Sequence, residues 1–147
     1  MSKMKVVMVL VAVVLGAGVA AAQTEWIEYP DNPVIGPGPP GSWDPMRIVF
    51  AVHFDGAVHH LWFGGGTFSG GIDIGHATSA DGVAWTMDPA NPVLTRGAPG
   101  AWDDSLMFGA GLVHDGAQYH LWYAGLGSQS NAWQGGYATS PDGTVWT

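Results

Sequence analysis

The chain has 147 residues, of which 12 are acidic and only four are basic, so its formal net charge at neutral pH is −8. So acidic a surface repels phosphate backbones and anionic lipids, which argues against nucleic acid as a partner and leaves neutral ligands such as sugars compatible. The eight tryptophans and 23 glycines argue against a helical protein and favour aromatic strands joined by tight turns.

Residues 1–22 have the pattern of a secretory signal peptide. Two lysines precede an apolar run that ends in Ala20, Ala21 and Ala22, a small-residue pattern typical of cleavage sites. The alternative is an uncleaved membrane anchor, because the run is close to the length that spans a bilayer. The alanines favour cleavage, and the absence of cysteine suits bacterial export. We therefore expect a secreted or periplasmic protein without membrane attachment after cleavage.

The first part of the exported chain has the pattern of an antiparallel hairpin. The segment "MRIVFAVHF" (46–54) is apolar on both faces, as a fully buried inner strand would be. Asp55 and Gly56 follow as a turn, because both residue types tolerate positive φ. The next segment, "VHHLWFG" (58–64), is rich in aromatic and β-branched residues and predicts a second strand.

Two further strands complete this unit. The segment "IGHATS" (74–79) predicts a third strand that ends at another Asp-Gly turn, and a short fourth strand begins within "VAWT" (83–86). Four antiparallel strands in a unit of about sixty residues are typical of a β-propeller blade.

The same unit recurs about sixty residues later, with its matching segments in the same order. The matches include Asn32-Pro33-Val34 with Asn91-Pro92-Val93, Trp43-Asp44 with Trp102-Asp103, Asp55-Gly56 with Asp115-Gly116, and His60-Leu61-Trp62 with His120-Leu121-Trp122. We therefore assign 23–85 to blade 1 and 86–147 to blade 2, whose outer strand is incomplete. Propellers close with about four to eight blades. The remaining blades are expected from a longer chain, the interpretation we favour, or from other copies of this chain.

The pattern "NPVL…G.WD…DG..YHLWY.G…GYATS.DG..WT" extends over residues 26–147. It resembles the repeat of the five-bladed, furanosidase-type propellers of glycoside hydrolase families 43 and 32 and their uncharacterised relatives. The resemblance implies an all-β fold, with about two four-stranded antiparallel blades of a five-bladed ring. It also implies a carbohydrate substrate or ligand and no cofactor.

In that family three acidic residues surround a central pocket. The resemblance implies that Asp44, followed by Pro45 as in the family's Asp-Pro signature, is the general base or nucleophile. It gives Asp103, or its neighbour Asp104, the second role, in which an aspartate tunes a pKa and holds the sugar. The third residue, a glutamate that acts as the acid, has no counterpart, because both glutamates of this chain precede the first predicted strand. Whether the chain is an enzyme is therefore left open.

Asp44 and Asp103 also have a structural interpretation. An aspartate before a strand can cap a turn with its carboxylate, and its presence in both blades favours that role. The catalytic interpretation rests on the need of glycoside hydrolysis for two carboxyl groups, which a propeller directs towards one axis. Asp104 breaks the repeat, because blade 1 has Pro45 there.

The aromatic and basic residues near these aspartates have alternatives too. Trp43 and Trp102 are candidates for stacking on sugar rings, or for packing between blades. Arg47 either binds a sugar or pairs with Asp44. No histidine spacing predicts a metal site. Four other tryptophans are expected in the blade core, namely Trp62, Trp85, Trp122 and Trp146.

Two functions are compatible with these features. The first is a secreted, carbohydrate-active propeller segment that resembles glycosidases, which hydrolyse furanoside or pyranoside linkages with paired carboxylates. The second is a non-catalytic propeller repeat that binds sugars or serves as a scaffold, including one whose copies assemble into a ring.

Overall fold

The computed structural model describes residues 26–130 and 132–147, so the predicted signal peptide lies outside the described residues. The described chain folds into seven β-strands: β1 (Met46–Phe54), β2 (His59–Thr67), β3 (Gly71–Ser79), β4 (Thr86–Met87), β5 (Leu106–His114), β6 (Tyr119–Leu126) and β7 (Trp133–Ser140). Within these residues no helix is long and apolar enough to cross a membrane.

The strands form two successive antiparallel blades. β1, β2 and β3 pair in order with β4 on the outer side of β3, and β5, β6 and β7 repeat the first three strands. β4 follows residue 85, where the sequence analysis divided the blades, yet it hydrogen-bonds to the first blade. In the second blade, Thr139 and Thr147 exchange backbone hydrogen bonds of 2.8 and 2.9 Å at the equivalent place. The predicted all-β propeller architecture is confirmed.

The blades are joined by backbone pairing near the start of β5. β3 and β5 run parallel and meet at Ile72 and Leu106. Because β1 is antiparallel to β2 and β2 to β3, the strands β1, β3 and β5 all run in the same direction. The loops before β1 and β5 therefore lie at one end of the sheet, called the leading end below. The hairpins after β1 and β5 form the trailing end.

The main hydrophobic core lies between the two blades. Trp62 of β2 and Ile74 of β3 pack there against Met107, Tyr119 and Leu121 of the second blade. Trp62 is completely buried, and its indole Nε1 donates a hydrogen bond of 2.8 Å to the carbonyl oxygen of Gly143. This seam holds blade 2 against one face of blade 1.

The inner strand β1 is less buried than its sequence predicted. Ile48, Val49, Val52 and Phe54 are between 36% and 54% exposed. The expectation of burial on both faces was wrong because a blade is covered only where another blade packs on it. Among the described residues, blade 2 is the only blade that covers blade 1.

The four tryptophans expected in the blade core differ in burial. Trp62 is buried, and Trp85 and Trp146 are half-buried against the two hydrophobic clusters. Trp122 is 48% exposed, so its prediction was wrong. It occupies the position of Trp62 in the second blade, where no described residue covers it.

The Asp-Gly hairpins are four-residue turns in which only the glycine has a positive φ. Gly56 has φ of +102°, and no non-glycine residue among those described has a positive φ. Asp55 instead closes the turn with its side chain, because Oδ1 accepts hydrogen bonds of 2.8 and 2.7 Å from the amides of Ala57 and Val58. Asp115 repeats this arrangement in blade 2.

Asp81 and Asp142 close the turns after β3 and β7 in the same way. Each Oδ1 accepts hydrogen bonds from two backbone amides of its own turn. These hydrogen bonds stabilise the ionised carboxylate and lower the pKa of both groups from 3.8 to about 2.

The turn carboxylates predict a specific loss of stability in acid. Because their folded pKa lies below the unfolded one, the stability they contribute is present above about pH 4 and is lost as the pH falls towards 2. We expect the double variant Asp81→Asn, Asp142→Asn, whose amide oxygens keep the turn bonds, to lose less free energy of unfolding over this range. Urea denaturation at a series of pH values measures this. Identical pH profiles for the double variant and the unchanged chain would contradict the contribution of these carboxylates to stability.

The seam predicts a large cost for removing Trp62. Trp62→Ala leaves a cavity and removes the hydrogen bond to Gly143, so the free energy of unfolding should fall by about 3–5 kcal/mol. The matched control is Trp26→Ala, because Trp26 is 94% exposed and its removal should change the free energy by less than about 0.5 kcal/mol. Urea denaturation compares the two. Equal effects would show that the blades are not held together by this packing.

Candidate functional site

Asp44 lies at the leading end, just before β1, and is only 3% exposed. Its Oδ2 accepts a hydrogen bond of 2.7 Å from Nε of Arg47, whose Nη1 also donates to the carbonyl of Gly36 at 3.3 Å. The guanidinium lies 5.7 Å from the centre of the Phe63 ring. A buried carboxylate is costly unless it is paired, and Arg47 supplies the paired charge. Of the two roles left open for Arg47, pairing with Asp44 is therefore present, and sugar contact stays a prediction.

Asp103 occupies the equivalent place before β5 and is 7% exposed. Its partner is different, because the hydroxyl of Tyr123 donates a hydrogen bond of 3.3 Å to Oδ2. Burial and the nearby Asp103 carboxylate raise the pKa of the Tyr123 hydroxyl. In blade 1 the position of Tyr123 is taken by Phe63, so the two aspartates have different chemical surroundings.

A glycine in each preceding loop lies directly against the aspartate side chain. A Cβ atom added to Gly38 would overlap Asp44, and one added to Gly97 would overlap Asp103. Only glycine permits so close an approach of the backbone. The shared arrangement supports the structural interpretation, in which the aspartate organises the loop that starts each blade.

Trp43 and Trp102 also have equivalent surroundings. Trp43 stacks on Phe63 with ring centres 6.0 Å apart, and Trp102 stacks on Tyr123 at 5.6 Å. Both indoles are half-buried. Each tryptophan packs within its own blade, so the expectation of packing between blades was wrong, and a contact with sugar stays a prediction.

Asp104 connects two loops at the leading end. Its carboxylate accepts hydrogen bonds from the backbone amide and the hydroxyl of Ser128 and from the amide of Gly100. These bonds, led by that from the Ser128 amide, lower the pKa of Asp104. Asp104 thus ties the loop before β5 to the loop after β6.

A cleft of about 460 Å³ opens beside Asp104 at this end. Arg96 pairs with Asp73 there at 3.0 Å and donates further hydrogen bonds to the carbonyls of Gly70 and Ser105. The sequence analysis did not single out Arg96 or Asp73. A usable signal existed, since Arg96 is one of only two basic residues beyond residue 22. The lining comprises Asp73, Thr95, Arg96, Gly97, Pro99, Asp104 and Ser128.

The trailing end carries a separate hydrogen-bonded chain of histidines and aspartates. His60 Nδ1 lies 3.1 Å from His76 Nε2, and the outer nitrogens of the two rings lie 3.2 Å from Asp55 and 3.1 Å from Asp88. Burial lowers the pKa of His76. Across residues 26–130 and 132–147, no group of three or more His, Cys, Asp or Glu side chains is arranged to hold a metal ion.

Three of the solved structures that are similar to this chain illustrate the shared fold. Two of them, one named "Glycoside hydrolase" and the other a complex of BT0996, are each 25% identical to this chain with a TM-score of 0.53, covering 71% of this chain and 32% of their own. The name of the third states that the GH130 family of mannoside phosphorylases contains glycoside hydrolases that target β-1,2 mannosidic linkages in Candida mannan. It is 20% identical with a TM-score of 0.53, covering 79% of this chain and 38% of its own.

These similarities show a glycoside hydrolase-like β-propeller fold. No protein-family model and no curated protein matches the sequence. The structure named by family belongs to GH130, so the assignment to families 43 and 32 in particular is not supported. The chain spans only about a third of the length of the similar structures.

The pairing of Arg47 with Asp44 predicts a strong energetic coupling. Arg47→Met, which introduces the residue that blade 2 has at this position (Met107), leaves the buried carboxylate without its cation. The free energy of unfolding should fall by about 3–5 kcal/mol. Adding Asp44→Asn should recover part of this loss, because a neutral amide does not need the cation. A double-mutant cycle by urea denaturation measures the coupling. Purely additive effects of the two substitutions on the free energy of unfolding would contradict the coupling of Arg47 and Asp44.

Proposed function

We propose that this chain is a secreted, carbohydrate-active part of a glycoside hydrolase-like propeller whose glycan site lies at the leading end. One observation carries the proposal: Asp44 and Asp103 occupy equivalent places before the parallel strands β1 and β5. Both carboxylates therefore belong to the same end of the sheet, where a propeller directs its blade starts towards the axis. The low content of basic residues favours a neutral ligand such as a glycan.

The partners of the two aspartates suit different roles. The guanidinium of Arg47 pairs with the carboxylate of Asp44 at 2.7 Å, and a paired carboxylate is a suitable general base or nucleophile. Asp103 accepts a hydrogen bond from Tyr123. It is suited to holding a sugar hydroxyl and to tuning the pKa of neighbouring groups. Asp104, Arg47, Trp43 and Trp102 are the further candidates for contact with the glycan.

Hydrolysis also needs a proton donor on the leaving oxygen. The only glutamate among the described residues is Glu28, which is exposed and precedes β1. If the assembled protein is a glycosidase of the kind that the repeat resembles, the glutamate acid would come from outside these two blades. Suitable glycans include furanosides, which the repeat resemblance implies, and β-1,2-mannosides, which the name of one similar structure mentions.

The second candidate is a propeller unit that binds glycans or serves as a scaffold without turnover. The observation that favours it is the burial of both aspartates, 3% and 7% exposed, beneath equivalent glycine-containing loops. This function predicts glycan binding without any hydrolysis, whereas turnover by the isolated chain would exclude it.

Binding and hydrolysis of a panel of neutral glycans by residues 23–147 test the proposal. Asp44→Asn and Asp103→Asn should each weaken binding about tenfold or more, since a charge-assisted hydrogen bond contributes about 1.5–3 kcal/mol. The matched control is Asp115→Asn at the trailing end, where an amide oxygen preserves the turn. Equal affinities for all three variants, or no binding of any neutral glycan, would overturn the proposal.

A further inference from the structure

A second cleft, of about 470 Å³, lies at the trailing end of the seam between the two blades. Blade 1 supplies the end of β1 and the hairpin that follows it, and blade 2 supplies the hairpin after β5 and the turn after β7. The cleft is thus formed within these two blades. Its lining includes His53, Phe54, Asp55, His114, Tyr119 and Asp142.

Three of these side chains occupy positions at which the two blades differ. The strand pairings align His53 with Val113, Phe54 with His114, and His59 with Tyr119. The rings of His53, His114 and Tyr119 nevertheless meet across the seam, with pairs of ring centres 4.5 to 5.5 Å apart. Features that the two blades share belong to the blade architecture, so three departures that meet at one place indicate a role of the cleft itself.

Tyr119 presents an unpartnered hydroxyl to this cleft. The residue is only 5% exposed, and within residues 26–130 and 132–147 no group forms a hydrogen bond with its hydroxyl. Burial, followed by the charges of Asp55 and Asp142, raises the pKa of this hydroxyl, so the phenol end of the ring lies near both carboxylates. A largely buried polar group is normally hydrogen-bonded, which favours a ligand that supplies the partner.

The carboxylates around the cleft have no lysine or arginine nearby among the described residues. Hydrogen bonds from backbone amides lower the pKa of both Asp55 and Asp142, so both are ionised at neutral pH. All hydrogen bonds of the Asp142 carboxylate within the described chain reach Oδ1, which leaves Oδ2 available. Arg47 and Arg96, the only basic residues of this kind beyond residue 22, both lie at the leading end. The cleft therefore attracts a cation.

The imidazoles of the cleft supply hydrogen-bonding groups rather than charge at neutral pH. Burial, followed by the neighbouring rings of His114 and His60, lowers the pKa of His53, so this ring is neutral and has one acceptor nitrogen. The Nδ1 atom of His114 accepts a hydrogen bond of 3.3 Å from the amide of Gly116, so in the neutral ring the proton lies on Nε2. The two imidazoles therefore offer both an acceptor and a donor.

These groups are suited to a particular class of ligand. Ionised carboxylates bind a cation, and the faces of aromatic rings such as those of Phe54 and Tyr119 attract ammonium groups. A metal ion is less suitable, because no three His, Cys, Asp or Glu side chains of the described chain are arranged to hold one. The Tyr119 hydroxyl and the imidazoles suit hydroxyl groups on the ligand. A cleft of this size is within the range that binds small molecules.

We propose that the trailing-end cleft binds a small organic ammonium ion that also carries hydroxyl groups, such as an amino sugar with a free amino group. The Asp142 carboxylate pairs with the ammonium group, and Asp55 adds negative charge beside it. Tyr119 and the imidazoles of His53 and His114 hydrogen-bond to the hydroxyl groups. The cleft lies at the opposite end of the sheet from the proposed site for neutral glycans, so this inference does not rest on that site.

Isothermal titration calorimetry of the chain at about pH 7 with glucosamine and with glucose tests the inference. Glucosamine carries an ammonium group at this pH, whereas glucose has a hydroxyl group in its place. We expect saturable binding of glucosamine that is about tenfold or more tighter than that of glucose, because hydrogen bonds between charged groups are the stronger ones. No binding of glucosamine, or equal affinities for the two sugars, would overturn the inference.

Substitutions then locate the binding site. Asp142→Asn removes the charge while its amide oxygen keeps the turn bonds, so the affinity for glucosamine should fall about tenfold or more. The matched control is Asp81→Asn, the same substitution in the equivalent turn of blade 1 and outside the cleft, which should leave the affinity unchanged. Tyr119→Phe keeps the buried ring and should weaken binding about threefold or more. Equal affinities of the two asparagine variants, or no effect of Tyr119→Phe, would contradict binding in this cleft.

Discussion

Trp62 fixes the relation between the two blades, and the geometry of the rest of the fold depends on that contact. Its indole fills the space between β2 and the second blade and hydrogen-bonds to Gly143, at the far end of the chain. The pairing of β3 with β5 sets the direction of the second blade, and the packing of Trp62 holds that blade against the first. Together they keep Asp44 and Asp103, in the loops before β1 and β5, at one end of the sheet.

Features that the two blades share belong to the scaffold, and features that differ between the blades set the chemical surroundings of each aspartate. Asp44 and Asp103 share their position, their burial and their glycine neighbours, so these features belong to the architecture of a blade. Their partners differ, because Arg47 neutralises one carboxylate and Tyr123 donates to the other. Function in this chain is therefore best sought where the two blades differ.

The sequence was sufficient to predict the strands and the blades, because the matched segments and the Asp-Gly turns are local signals. It was not sufficient for contacts that join distant residues. The bond from Ser128 to Asp104 and that from Tyr123 to Asp103 depend on how loops meet, although the change from Phe63 to Tyr123 was a visible signal. The exposure of Trp122 was missed because a repeat predicts the same surroundings in both blades, and no described blade covers Trp122 in blade 2.

We propose that the leading end of this glycoside hydrolase-like propeller is the glycan site. Its most direct test is the mapping of amide chemical-shift changes on the isotopically labelled chain as a neutral glycan is added. We expect the largest changes in the loops around Asp44 and Asp103. Changes confined to the hairpins of the trailing end, around Asp55 and Asp115, would contradict it.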